Sequence, residues 1–149
     1  MSEFTSDIMK GKRGLVMGVA NDKSIAWGMA KTLHAHGAEM AFTYQGDAFG
    51  KRVKPLAESI GANVLIDCDV SKEEDLDNAF AVLKQEWGEL DFVIHAIAYS
   101  DKEELKGRYV DTSLENFTNS MHISCYSFTS VMRRADDESG WERCHAELL

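Results

Sequence analysis

A strand, a glycine turn and a helix follow one another between Arg13 and His36, and no other feature limits the fold of this chain so strongly. Gly14-Leu15-Val16-Met17 is an apolar run. It enters the turn Gly18-Val19-Ala20-Asn21-Asp22-Lys23 and leaves through Ser24-Ile25-Ala26-Trp27-Gly28, where a helical pattern begins. A glycine at such a turn lets backbone approach a bulky anion, and the helix N-terminus adds unpaired N–H groups and a partial positive charge. The unit is therefore a candidate pyrophosphate cradle. Gly18 is its first residue, Ser24 is both an N-cap and a hydroxyl within reach of phosphate, and Gly28 is read as permitting close helix–strand packing. The spacing differs from the common G-x-G-x-x-G.

Strand and helix patterns then alternate. Gly37 follows the first helix where a terminating glycine belongs. Met40–Tyr44 reads as a second strand and Gly50–Ile60 as a second helix, with Pro55 early in it, where a missing N–H costs least. Val64–Ile66 is a third strand, and Ser71 is predicted to cap a helix over Lys72–Trp87 with Glu74 at the capping-box position. Leu76, Phe80 and Leu83 recur there at helical spacing. Phe92–Ile97 is apolar throughout, as a buried parallel strand should be. Ser113–Thr129 is a last helical segment. The alternation predicts an α/β, doubly wound parallel sheet of about four strands, incomplete, in the order 3-2-1-4, with ligand at the carboxyl ends of strands 1 and 4.

Composition narrows the classes. The 149 residues fit one domain with a real core. A net charge of −9 disfavours nucleic acid as a partner. No apolar run approaches the roughly 18 residues of a membrane span, and Met1 to Lys10 has no signal-peptide pattern. Cys68, Cys125 and Cys144 are too scattered for a zinc site or a disulfide framework, and the histidines lack ligand spacing, so reduced cysteines in a cytoplasm and no metal are expected.

The strand ends carry the remaining candidates. Gln45 stands where an acid usually binds the adenine ribose, and its amide can hydrogen-bond a hydroxyl. Lys51 and Arg52 lie slightly later and read chiefly as a solvated helix face, which leaves NADH and NADPH both open. Asp69 and Val70 end strand 3 with a carboxylate and an apolar side chain for an adenine, or simply start the next helix. His95-Ala96-Ile97-Ala98 ends strand 4 with small residues, leaving room for a ribose and nicotinamide, or allowing tight sheet packing.

Taken together, Gly18-Val19-Ala20 with Ser24 to Gly28, Ala41 to Gln45, Cys68-Asp69-Val70, His95 to Ala98 and Met121 to Phe128 resemble the bacterial NADH-dependent enoyl-acyl-carrier-protein reductases, divergent short-chain dehydrogenase/reductases. The stretched glycine motif, with Ser24 six residues after Gly18, is the specific part, and the resemblance covers roughly Gly11 to Thr129. It implies a Rossmann-like fold, NADH as cofactor, and cofactor contacts at Gly18, Ser24, Ile25, Gln45, Asp69, Val70 and Ile97. It places Ser100 near the substrate, an enoyl group carried on acyl-carrier protein in fatty-acid elongation. In the family, hydride passes from nicotinamide to the β-carbon of a trans-2 enoyl thioester. A tyrosine hydroxyl stabilises the enolate and a lysine six residues on holds the ribose.

That tyrosine and lysine fall beyond Leu149, so no catalytic residue is assigned. Tyr99 and Lys106 have the catalytic spacing but lie in an acidic loop, not at the entry to a helix, and are rejected. Residues 1–129 read as the dinucleotide-binding half. Residues 130–149 read as an atypical tail, expected to stem from a shifted reading frame or an early stop, without the apolar fifth strand. Strand 4 is then expected to be a bare apolar edge, the far wall of the pocket to be missing, and the isolated chain to lack enoyl reductase activity. The family forms tetramers largely through elements after strand 4, which are mostly absent here, so the oligomeric state is left open. A non-catalytic dinucleotide-binding module is the alternative function, and an acidic interaction protein on the same scaffold a third.

Overall fold

The computed structural model describes residues 5–136 and 145–148. Five strands form one parallel sheet: β1 (Arg13–Met17), β2 (Glu39–Tyr44), β3 (Val64–Asp67), β4 (Phe92–His95) and β5 (His145–Leu148), in the order β3-β2-β1-β4-β5. The helices are α1 (Ile25–Ala35), α2 (Gly46–Ser59), α3 (Glu73–Trp87), α4 (Leu114–Met121) and α5 (Ser127–Ala135).

Period-two alternation explains why the strands are apolar without a break. Leu15, Met17, Ala41 and Val93 point to one face, where Leu76, Phe80 and Leu83 of α3 and Val131 and Ala135 of α5 cover them. Val16, Met40, Phe42 and Ile94 point to the other, against Ala26, Trp27 and Ala30 of α1 and Val53 and Ala57 of α2. Gly37 ends α1 with φ +97°, donating its N–H to the His34 carbonyl while Ala38 donates to Leu33, a reversal that favours glycine.

The first four strands stand in the predicted order, and a fifth is added. The edge of β4 is not bare: Phe92, Val93, Ile94 and His95 pair in register with His145, Ala146, Glu147 and Leu148. An open strand edge presents unpaired N–H and C=O groups, and pairing is a backbone property that needs no apolar run in the partner. The rest of the tail, residues 137–144 and 149, lies outside the described residues. α5 runs across the 129/130 division drawn from the sequence. Arg134 fastens it to α3, its guanidinium 2.8 Å from Glu73 and 2.7 Å from Asp77, while also donating to Ser130.

Three local readings change. α2 begins at Gly46, so Pro55 stands well inside the helix. Lys51, whose carbonyl loses its helical donor there, is exposed, so water can replace it. Ser71 does not cap α3: its hydroxyl turns back to Asp69, and Asp75 of the first turn of α3 reaches the Asp69 N–H at 2.9 Å. Gly28 lies on the exposed face of α1, where an added Cβ would meet nothing within 4 Å, so it permits no close packing.

The last helical segment is broken by five residues in π geometry, His122–Tyr126, between α4 and α5. Ser113, read from the sequence as the first residue of the segment, caps α4 by accepting from the Asn116 N–H. The π turn matters because its side chains reach the carboxyl end of the sheet.

Candidate functional site

A cleft of about 580 Å³ opens at the carboxyl ends of β1 and β4, where the strand order reverses. Its floor is the Gly18 turn. Gly18 has φ +95°, and a Cβ built on it would lie 1.9 Å from the Ala96 carbonyl oxygen. The two strand ends therefore approach to a distance that only a residue without a side chain allows. This leaves the backbone of the turn open toward the cleft, the condition a diphosphate needs.

Ser24 organises the turn. Its Oγ accepts from the Ala20 N–H at 2.9 Å and the Asn21 N–H at 3.0 Å. The Asn21 side chain in turn accepts from Lys23 at 2.8 Å. Ser24 makes no side-chain cap to α1 and does not line the cleft. Its hydroxyl is spent on the loop before it. Ser24→Ala should leave two turn amides unpaired, costing about 1–3 kcal/mol. We expect a lower unfolding temperature by circular dichroism and a roughly tenfold loss of dinucleotide affinity as the turn loosens; equal affinity would show that the turn holds its shape unaided.

The β2 and β3 ends supply the second wall through Thr43, Tyr44, Gln45, Cys68, Asp69 and Val70. Burial works against the charge on Asp69. Hydrogen bonds from the Ser71 hydroxyl (2.7 Å) and N–H (3.0 Å), from the Gln45 side chain, and the charge of Lys72 outweigh it and hold the carboxyl below its ordinary range. Asp69 is therefore ionised at neutral pH and remains a hydrogen-bond acceptor. Burial, together with Asp75, Asp69 and Asp67, pushes the Cys68 thiol up to about 12, so it is no nucleophile.

The third wall comes from the end of β4 and the π turn. Ala96, Ile97, Ala98 and Tyr99 line the cleft opposite Asn119 and Ile123. Ser124 clasps the Tyr99 backbone, its Oγ accepting from the N–H at 3.0 Å and donating to the carbonyl at 3.2 Å. The side expected to be missing is thus partly built, and Asn119, Ile123 and Ser124, which help build it, were not among the candidate site residues. The extra residue of the π turn carries no periodicity signal; the only available clue was position, opposite the end of the fourth strand.

Of the sequence-derived set, Gly18, Gln45, Asp69, Val70 and Ile97 converge on the cleft. Ile25 does not: as first residue of α1 it is 76% exposed, on the face away from the sheet. Ser100 also stands apart, its hydroxyl accepting from Asn116 at 3.1 Å. Tyr99 reaches the cleft, but Lys106 is exposed and ion-paired to Glu103 at 2.6 Å, so the two do not form a pair there. Among the described residues no group of three or more His, Cys, Asp or Glu side chains is placed to hold a metal ion, and no helix is long and apolar enough to cross a membrane.

A profile of the family described as enoyl-(acyl carrier protein) reductase matches residues 18–139. The chain belongs to that family. As an enoyl-(acyl carrier protein) reductase family member it is 58% identical over 128 residues to "Enoyl-[acyl-carrier-protein] reductase [NADH] 2" of Rhizobium meliloti, covering 86% of this chain and 48% of that protein. It is 51% identical over 133 residues to the corresponding FabI protein of Rickettsia bellii, covering 89% and 51%. Among solved structures it is similar to the enoyl-(acyl-carrier-protein) reductase of Anaplasma phagocytophilum in complex with NAD. There the TM-score is 0.85 at 61% identity, over 89% of this chain and 50% of that one. The family chain described here thus spans about half the length of the curated relatives it matches.

Proposed function

We propose that the cleft binds NADH and that this chain is the cofactor-binding half of an NADH-dependent enoyl-acyl-carrier-protein reductase of fatty-acid elongation. The approach of Gly18 to Ala96 carries the reading. It leaves a side-chain-free cradle at the reversal point of the sheet, with polar groups on one side and small apolar ones on the other. The Gly18 turn would hold the diphosphate through backbone N–H groups, kept in place by Ser24. Gln45 and ionised Asp69 would take the adenosine hydroxyls and amino group, with Val70 against the base. Ala96, Ile97 and Ala98 leave the room that a nicotinamide needs. When bound, the reduced nicotinamide supplies the hydride that an enoyl group on acyl-carrier protein would accept. A cytoplasmic location goes with this reading.

A second reading applies to the chain by itself: binding without turnover. Among the described residues, Tyr99 is accompanied in the cleft by no lysine, because Lys106 is committed to Glu103. A calorimetric titration of the 149-residue chain with NADH is expected to saturate in the micromolar range. NADH oxidation in the presence of a trans-2 enoyl thioester is expected to stay at background. Absence of saturation would overturn the dinucleotide site, and thioester-dependent oxidation would overturn the inactivity of the isolated chain.

A further inference from the structure

The end of β2 offers Gln45 where dinucleotide folds commonly place an acid for the adenosine ribose. An acid is nevertheless present, and it comes from the neighbouring strand. Asp67, the last residue of β3, pairs with Tyr44 across the sheet and turns its carboxylate onto the chain just beyond Gln45. Its Oδ1 accepts from the N–H of Gly46, the first residue of α2, at 2.8 Å. That amide is one of the free donors that give a helix N-terminus its affinity for anions. Asp67 itself is exposed, does not line the cleft, and precedes Cys68 and Asp69, which do.

We propose that Asp67 decides which dinucleotide the cleft takes: its carboxylate fills the N-terminal end of α2 beside Gln45, accepts a free ribose 2′-hydroxyl, and turns away a ribose carrying a 2′-phosphate. This rests on the reading of the cleft as a dinucleotide site. A carboxylate bonded once still has lone pairs for a hydroxyl donor, but it offers a phosphate only like charge. The surroundings carry both cations and other carboxylates, and Asp67 is the one bonded to the α2 N-terminus. The Arg52 guanidinium lies 5.9 Å from the Phe49 ring centroid, and the Lys54 ammonium 5.2 Å from that of Tyr44, both rings belonging to the cleft. Lys51 is exposed on the same helix, and Asp47 is the acidic side chain of its first turn. These cations and the α2 N-terminus would welcome a 2′-phosphate if the Asp67 charge were removed.

Asp67→Asn removes the charge and keeps an oxygen for the Gly46 N–H. The experiment is a titration of the parent chain and the variant with NADH and with NADPH, with unfolding temperatures recorded alongside. The ratio of NADPH to NADH affinity is expected to rise about tenfold or more in the variant. An unchanged ratio, with NADH still binding, overturns the role of Asp67 and leaves the dinucleotide site standing. Failure of both dinucleotides to bind the parent chain overturns the site reading and the proposal with it. If the variant does not fold, a salt series on the parent chain decides. Screening should weaken the repulsion of the 2′-phosphate, so the NADPH to NADH affinity ratio should rise with ionic strength. A flat or falling ratio counts against the proposal.

Discussion

Gly18→Ala is expected to remove dinucleotide binding and to destabilise the chain more than any other single-methyl change near the cleft. Two costs coincide. The backbone at Gly18 has φ +95°, outside the comfortable range of an L-residue, which costs about 1–2 kcal/mol. The new Cβ would also sit 1.9 Å from the Ala96 oxygen and 2.5 Å from its carbonyl carbon. Those are main-chain atoms of the β4 end, so no rotamer change relieves the contact, and the strand ends must part at an overpacking cost of about 1–3 kcal/mol. Together these costs correspond to a fall of roughly 10 °C in unfolding temperature for a chain of this size. Gly28→Ala is the matched control. It adds the same methyl to the exposed face of α1, where nothing lies within 4 Å, and should stabilise by about 0.5–1 kcal/mol. Circular dichroism melts and NADH titrations of both variants check the pair. An unfolding temperature for Gly18→Ala within about 2 °C of the parent would mean that the strand ends separate at little cost.

The same contrast shows what a sequence can disclose. Gly18 and Gly28 looked alike as members of one motif, and only the path of β4 separates them. Ala96 is 78 residues from Gly18, and no local pattern reports that its carbonyl stands beneath the turn. The strands were legible because both faces of the sheet are covered, so Leu15 and Val16 are both apolar although they point in opposite directions. That Gln45, Asp69 and Ile97 line one cleft was legible because clefts of this architecture sit at strand ends, which an apolar run locates within a residue or two. Three features were not. Ser71 does not cap α3 because its hydroxyl donates to Asp69 instead, while Asp75 reaches back to the Asp69 N–H, and the sequence carries no information on which partner is nearer. The π turn adds a residue to a helix without altering the apolar pattern enough to betray it. The pairing of β5 depends on backbone groups, which every residue but proline possesses.

His95 links the π turn to the sheet, and its chemistry gives the second large effect, a loss of stability in mild acid. The imidazole is fully buried at the end of β4, with Nε2 2.7 Å from the Ser127 hydroxyl and the ring edge-on to Phe128. Ser127 donates its own proton to the Ile123 carbonyl at 2.6 Å, so it must accept from His95. This fixes the neutral Nε2–H tautomer, and Nδ1 finds no partner among the described residues. Burial depresses the imidazole below its ordinary 6.5, opposed only by a contact with its own backbone. The unfolded chain therefore takes up a proton that the folded chain refuses. Full stability is present above about pH 6.5 and is lost as pH falls toward the depressed folded value, at up to about 1.4 kcal/mol per pH unit. Asp69, Asp91 and Glu73 have lowered values, so the stability they contribute drains away only nearer their ordinary 3.8, 3.8 and 4.5, below the histidine window. Urea unfolding of the parent and of His95→Gln from about pH 8 to 5 separates His95 from the other histidines. The parent should lose stability relative to the variant as pH falls, and parallel curves would show that the site accepts a charge. Ser127→Ala should cost about 1–3 kcal/mol even at pH 8, because it leaves the buried Nε2–H without its acceptor. Since Ile123 lines the cleft and Ala96 follows His95 directly, the same acid step should loosen the Ala96–Ile123 side of the cleft before the rest of the sheet. NADH affinity would then fall in parallel with stability below about pH 6.5, while Gln45 and Asp69 keep their geometry.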